Sequence, residues 1–452
     1  MTPSQTLSAP RPTSDVSAIT GLLGLAALSC WILICHFWPD LVRSFDLPSR
    51  PERLTGPNAA LTGLIVCAAP MVLWEVLVCK VHRRASTGID WDSPRPLASV
   101  IDVSVTKLAG LWATWALIGA LYAMARWYWH PPYLISMQVL GSAIVPMFLF
   151  SIPYVLWLDR VLKEPRDGCW HFGAMLVGRE AYDPEKVWIH LRAWAVKGFF
   201  TAFMIMIVPG GFQNLVEPDW SSLYLSSSGL LSPVGVATLL ITLMFVIDEQ
   251  IGTVGYILTV KPLDAHIRSA NPYLAGWLAA LMCYPPFQQM SPGDRPLFYQ
   301  HDSLRFGDEN WAHILPQIPV LQWFWAGLLI VLTAIYAWAT MAFGIRFSNL
   351  TYRGVLTNGP YKYTRHPAYL AKNVFWWCAG MPFVVNPYSL LESVRNAFLL
   401  GCVSAIYFWR AKTEEKHLLA EDPKYREYSD WMDQHGLITS RLNRAWAALK
   451  RR

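Results

Sequence analysis

Apolar stretches of about 20 residues recur along this chain, the length a helix needs to cross the ~30 Å hydrocarbon core of a bilayer. They fall near 17–38, 59–79, 104–125, 134–158, 195–216, 232–260, 319–343, 367–386 and 394–411, with a shorter candidate at 272–284. Inside a bilayer no water reaches backbone N–H and C=O groups, so such segments must satisfy those groups internally, as helices do. The expected fold is all-α, a polytopic integral-membrane helical bundle with about ten transmembrane helices. Composition agrees: 54% of the 452 residues are hydrophobic and only 15% are charged, against about 25% charged in soluble domains. The longest hydrophilic stretches, 159–192 and 285–318, leave no room for a separate soluble domain. Any chemistry must therefore use helix ends and loops.

The first run, Ile19 to Trp38, exceeds the apolar core of a signal peptide, only Arg11 precedes it and no small-x-small site follows, so it is expected to remain as a helix. Residues 1–16, rich in Pro, Ser and Thr, are expected to form a disordered lead. The eight cysteines show no CxxC pairing and several lie inside apolar runs, which indicates neither a disulfide framework nor a metal site. Lys and Arg cluster in 80–107, 160–186, 346–372 and from Lys412 onward, whereas 217–230 has none. That bias places both termini and the basic helix ends on the cytoplasmic side, against the three arginines Arg43, Arg50 and Arg53 of an outer loop. A basic inner face is the ordinary result of topology selection, so nucleic acid is not an expected partner. Nothing in the sequence fixes an oligomeric state.

Two acids, Asp248 and Glu249, interrupt the apolar run "TLLITLMFVIDEQIGTVGYILTV". Ionisable groups at membrane depth face a bundle interior or a watery cavity. Here they are either functional, or paired with Lys197 or Lys261, or protonated against a neighbouring helix. Nearby, "SANPYLAGW" (269–277) breaks the apolar pattern with Asn-Pro, which is tolerated at depth only where protein or a cavity surrounds it. The stretch 159–190 is expected to be a connector at the membrane face rather than a lid.

The most polar helix mouth is "GPYKYTRHPAYLAKN", residues 359–373. Gly359-Pro360 marks a turn, and Pro367 suits the first position of a helix while biasing His366 away from helical geometry. A helix is expected to start at Pro367. Its unpaired N–H groups, beside Arg365 and His366, would seat an anion. The plainer alternative is that Lys362, Arg365 and Lys372 are topology charges that snorkel. A second cluster, "YFWRAKTEEKHLLAEDPKYREYSDW" (407–431), puts Glu414, Leu418, Glu421, Tyr425 and Tyr428 at steps of 4, 3, 4 and 3, a single helical face. Asp422-Pro423, a cap followed by a first-position proline, predicts a break there and a restarted helix. Glu414 and Glu415 then lie just beyond the membrane end, either accepting hydrogen bonds from a ligand or forming an i,i+4 pair with Arg410.

The order GPY, then RHPxY with a small residue, then EE, Leu and two tyrosines three apart resembles the isoprenylcysteine carboxyl methyltransferase family and its phospholipid methyltransferase relatives. The resemblance covers roughly the last 110 to 140 residues, met by Gly359, Pro360, Tyr361, Arg365, His366, Pro367, Tyr369, Glu414, Glu415, Leu418, Tyr425 and Tyr428. Ala371 stands where the family often has glycine, and an Arg-hydrophobic-Pro element after the tyrosines is not evident. It implies a catalytic membrane region at 311–452, preceded by a membrane helical region of unassigned role at 17–310. It also implies methyl transfer from S-adenosyl-L-methionine to a membrane lipid or lipidated acceptor, either a carboxylate or a phospholipid amine. Arg365 would hold the acceptor as the catalytic residue. Tyr361, His366, Pro367, Tyr369, Leu370, Glu414, Glu415 and Leu418 would bind the cofactor. Arg346, Asn349, Arg353, Asn373, Tyr425 and Tyr428 are the candidate substrate contacts.

Two other classes share some of these features. Sterol-type NADPH-dependent membrane reductases resemble this chain in helix number and in an Arg-His motif, but theirs usually continues Asn-Tyr-x-Gly-Asp where this chain has Pro-Ala-Tyr-Leu-Ala-Lys-Asn. A transporter would use Asp248, Glu249 and the broken segment as a midplane site, which leaves the RHP and EE pair without a purpose.

Overall fold

The computed structural model describes residues 10–178, 181–225, 229–287, 311–315, 318–381, 390–441 and 448. In chain order the helices are α1 (Ala18–His36), α2 (Trp38–Phe45), α3 (Pro57–Leu73), α4 (Leu97–Met124), α5 (Leu134–Val161), α6 (Gly168–Val177) and α7 (Pro184–Val216). They continue with α8 (Pro233–Ile257), α9 (Leu274–Leu281), α10 (Trp311–Ile314), α11 (Pro319–Phe343), α12 (Pro367–Gly380), α13 (Leu390–Glu421) and α14 (Pro423–His435). Proline opens α3, α7, α8, α11, α12 and α14 at N1 or N2, where its fixed φ suits the helix and its missing N–H would have had no intrahelical acceptor. Ser17, Asp183 and Ser232 cap α1, α7 and α8 by accepting backbone N–H groups. Inside α3, Pro70 cannot donate to the ladder, and the helix passes into a π-helical turn at Trp74–Val78. That turn carries the buried Glu75, which accepts a hydrogen bond from Thr20.

Seven helices among the described residues are long and apolar enough to span: α1, α3 with its π turn, α4, α5, α7, α8 and α11. The architecture is an all-α membrane bundle. Of the other expected crossings, 272–284 forms only the eight-residue α9. The segment at 367–386 forms a 14-residue α12, about 21 Å long at 1.5 Å per residue, and 382–386 lie outside the described residues. The run at 394–411 lies within the 32-residue α13, which continues to Glu421. The break expected at Asp422-Pro423 is present, with the Asp422 carboxylate capping α14 by accepting the Lys424 N–H at 2.8 Å.

Lipid tails give apolar helices no hydrophobic reason to associate, so close packing of small residues carries more of the association. At the α4–α6 crossing, a side-chain carbon on Gly110 would strike the Cys169 carbonyl, and one on Gly173 the Thr106 carbonyl. The main core joins α1, α3, α7, α8 and α11 through Leu28, Cys67, Phe212, Ile251 and Met341. A second joins α8, α11 and α12 through Ala237, Leu329 and Phe375. The chain at 159–190 contains α6, whose Trp170 and Phe172 are buried.

The start of the broken segment is buried and its backbone is tied to protein, while Pro272 and Leu274 are exposed. Its strand β1 (Ser269–Ala270) pairs antiparallel with β2 (Thr351–Tyr352), Ser269 opposite Tyr352. Asn271 takes its own N–H to the Leu350 carbonyl at 2.7 Å and accepts the Tyr273 N–H at 2.9 Å. Neither lysine expected to pair with the acids at 248–249 does so. Lys197 lies over the Trp194 ring and Lys261 reaches Asp167 at 3.7 Å. Asp248 instead accepts from Tyr336 Oη at 2.8 Å and from Thr340, both on α11, because that helix is packed directly against α8. Residues 10–16 of the lead lie against the protein, and residues 1–9 are outside the described residues. Asp15 accepts the Val355 N–H at 2.7 Å and pairs with Lys424 at 2.5 Å, and Thr357 donates to the Pro12 carbonyl at 2.8 Å. These partners replace the water that a Pro/Ser/Thr-rich lead would otherwise use.

Candidate active site

The chain leaving α11 makes a short 3-10 turn at Gly344–Arg346, passes through β2, turns at Gly359–Lys362 and enters α12 at Pro367 with His366 as its N-cap. This loop, the C-terminal end of α13 and the start of α14 enclose a cavity of about 170 Å³, far larger than the ~10–15 Å³ one water requires. From α13 the lining face is Tyr407, Arg410, Glu414, His417 and Leu418, at steps of 3, 4, 3 and 1. Tyr425 and Tyr428 continue it from α14. Glu421, expected on that face, instead lies 3.6 Å from His417 Nε2 and does not line the cavity.

The RHP turn and the acidic pair meet. His366 Nε2 lies 2.9 Å from Glu415 Oε1, Arg365 Nε lies 3.3 Å from the same oxygen, and Lys412 reaches Glu415 Oε2 at 2.7 Å. Burial opposes ionisation of Glu415, but the hydrogen bond and charge of His366, with Lys412 and Arg365, outweigh it and hold the carboxyl at about 2. Its neighbour faces the other way. Glu414 lines the cavity, accepts from Tyr369 Oη at 2.5 Å and lies 3.3 Å from Arg410 Nε.

Tyr361, Arg365, His366, Tyr369, Glu414, Leu418, Arg346, Asn349, Arg353, Tyr425 and Tyr428 all line the cavity. Pro367, Leu370, Glu415 and Asn373 do not. Pro367 is buried at the helix start, Leu370 is exposed, and Asn373 donates back to the Tyr369 carbonyl one turn earlier. Two arginines differ from expectation. Arg365, expected to hold the acceptor, directs its guanidinium to Ser429 Oγ at 2.6 Å, Asp433 at 2.9 Å and Glu415, clamping α14 to the RHP turn. Arg353 is buried and donates to the carbonyls of Gly255, Leu258, Ala265, Ile345 and Phe347, so it satisfies irregular backbone rather than a ligand. Burial, with the nearby Arg346 charge, pushes Arg353 down to about 9.

Arg346 is oriented by the buried Asp264, 2.9 Å from its Nη2, while its Nη1 has no hydrogen-bond partner among the described residues. Gly354, at φ +114°, leaves room for it; a side-chain carbon there would lie 3.0 Å from Nη1. Several lining residues were not in the sequence reading of the site. Arg410 donates to Asn349 Oδ1 at 2.6 Å and lies over the rings of Tyr369 and Tyr284. Its spacing of four from Glu414 was a usable signal. Tyr284, Tyr336 and Tyr407 had none, being single tyrosines in apolar surroundings. His417 contacts Ser269 Oγ at 2.9 Å, and burial, with the Arg192 charge, lowers it to about 4.

No curated protein and no solved structure matches this chain. Residues 323–420, which run from α11 through the RHP turn and α12 to the acidic pair on α13, match the model of the isoprenylcysteine carboxyl methyltransferase (ICMT) family.

Proposed function

We propose that this protein is an integral-membrane methyltransferase that uses S-adenosyl-L-methionine and acts on a lipidic or amphiphilic acceptor. The observation that carries the reading is the meeting of the RHP turn and the acidic pair at one cavity, with His366 2.9 Å from Glu415 and both His366 and Glu414 on the wall. The residues suit the cofactor's chemistry. The N-terminus of α12 beside His366 and the unpartnered Arg346 Nη1 favour a carboxylate. The Glu414 carboxylate favours an ammonium or ribose hydroxyls, and the rings of Tyr361, Tyr425 and Tyr428 offer flat apolar surface to adenine.

When bound, S-adenosylmethionine supplies a methyl group made electrophilic by its sulfonium charge. The chain's own contribution is alignment and exclusion of water, since a site sunk among helix ends strips solvent from an acceptor and fixes its approach. Glu415, held ionised by its cationic neighbours, keeps His366 and Arg365 in register with α13. Arg365 then holds α14 over the cavity. The Lys/Arg bias supports a cytoplasmic opening, and the Asp15–Lys424 pair supports both ends of the chain lying on that one side.

The test is equilibrium binding of S-adenosylhomocysteine and of NADPH to the purified protein. S-adenosylhomocysteine should bind and NADPH should not, and Glu414→Gln should weaken S-adenosylhomocysteine by at least about tenfold, the worth of a charge-assisted hydrogen bond. NADPH binding without S-adenosylhomocysteine binding would favour a reductase instead.

A further inference from the structure

Beyond the residues that suit the cofactor, the cavity has a second polar end at membrane depth. Lys372 sits five residues into α12, and Tyr336 seven residues before the end of α11, so both lie about 8–10 Å along their helices from the loop level. Lys372 Nζ lies 5.3 Å from the Tyr336 ring centroid and 5.8 Å from that of Tyr407, and all three side chains line the cavity. Among the described residues no hydrogen bond or ion pair reaches Lys372 Nζ. Behind this wall, Asp248 of α8 accepts from Tyr336 Oη and from Thr340, which fixes the ring that Lys372 faces. Asp248 does not line the cavity, and its carboxylate is occupied by those two hydroxyls.

An ammonium buried there is costly unless something answers its three donors, and Asp248 acts on it only through space, from behind the wall. The remaining cavity groups do not answer them: Glu414, the acid on the wall, is already joined to Tyr369 and Arg410. An amine-bearing head group would meet a like charge here, whereas an oxyanion would find an ammonium with free donors. A group bound at this depth must also be continuous with an apolar tail. We infer that Lys372 forms an oxyanion subsite for the head group of an amphiphilic acceptor, a long-chain carboxylate or phosphate ester, with Asp248 as the residue that positions its aromatic wall. This rests on the methyltransferase reading only for calling the ligand an acceptor. It gives the N-terminal region, outside the family match, a part in the site.

The experiment is equilibrium binding of palmitate, hexadecyl phosphate and hexadecylamine to the full chain in phosphatidylcholine nanodiscs, with S-adenosylhomocysteine binding measured on the same samples. At least one anion should bind, more tightly than the amine. Lys372→Met should weaken it by at least about tenfold while Lys372→Arg stays within about threefold, and S-adenosylhomocysteine affinity should hold in both. Asp248→Asn should weaken the anion by about threefold or more at an unchanged unfolding midpoint, with Asp248→Glu restoring it. Preference for palmitate assigns a carboxylate head group, and preference for hexadecyl phosphate a phosphate. Equal binding of amine and anions, or anion binding indifferent to Lys372→Met, overturns the subsite; anion binding indifferent to Asp248→Asn overturns the positioning role. Anion binding that depends on Lys372 in a protein that does not bind S-adenosylhomocysteine overturns the methyltransferase reading and leaves the subsite standing.

Discussion

Glu414 and Glu415 are adjacent, identical and differently employed. On a helix consecutive residues point about 100° apart, so one carboxylate faces the cavity while the other ties α13 to the start of α12. The depressed Glu415 value fixes a sign. A carboxyl whose folded value lies near 2, below its ordinary 4.5, adds stability that is complete above about 4.5 and is lost as pH falls through about 2. Thermal unfolding in detergent between pH 7 and pH 3 should therefore show a falling midpoint for the native protein and a flatter profile for Glu415→Gln. Equal slopes would mean that the cluster of His366, Arg365 and Lys412 contributes nothing. Arg353 carries a larger consequence. Its guanidinium answers five backbone carbonyls, and each buried carbonyl left unanswered costs about 1–3 kcal/mol. Arg353→Met should destabilise the protein by at least about 3 kcal/mol in chemical unfolding, and a near-neutral effect would contradict its structural role.

At the scale of elements, the helix starts follow local rules and the crossings follow side-chain size. Pro367 and Pro423 begin helices where sequence rules put them, because a proline ring sets φ by itself and a neighbouring cap needs only two or three residues. The α4–α6 contact needs no such signal but does need glycine on both sides, with Gly110 and Gly173 each meeting the other helix's backbone. Gly173→Val should force the two helices apart and cost about 1–3 kcal/mol, as overpacked contacts do, seen as a lower unfolding midpoint. S-adenosylhomocysteine affinity should hold, since neither helix lines the cavity. A loss of that affinity at an unchanged midpoint would show that α6 acts on the site rather than as scaffold.

Across the whole molecule, the region that carries the family match has clusters of its own, such as Leu400, Val403 and Tyr407, but is also built into the helices that precede it. Ala337, Met341 and Ile345 belong to the cluster built on α1, α3, α7 and α8. Arg346 is oriented by Asp264, and β2 finds its partner in β1. The carbonyls that hold Arg353 include those of Gly255, Leu258 and Ala265, and Asp15 reaches Lys424 from the N-terminal lead. A fragment of residues 311–452 should thus fail to bind S-adenosylhomocysteine, and co-expression with residues 1–310 should restore binding. Binding by the fragment alone at native affinity would make the preceding helices dispensable. By itself the sequence determined the class of fold, seven of the expected spans, the helix start at Pro367 and the break at Asp422-Pro423, because length, proline geometry and capping are written in short windows, while the meeting of the RHP and EE motifs was implied by the family resemblance. Only the tertiary structure decided that Glu414 rather than Glu415 faces the cavity, that Arg353 and Arg365 serve backbone and α14, that Tyr284 and Tyr336 line the cavity and that Asp248 lies behind Tyr336. A membrane helix is apolar on every side, so its periodicity does not show which side meets protein. Contacts between residues 60 to 180 positions apart, such as Arg410 with Asn349 and Arg84 with Asp264, then depend on how whole helices lie against one another.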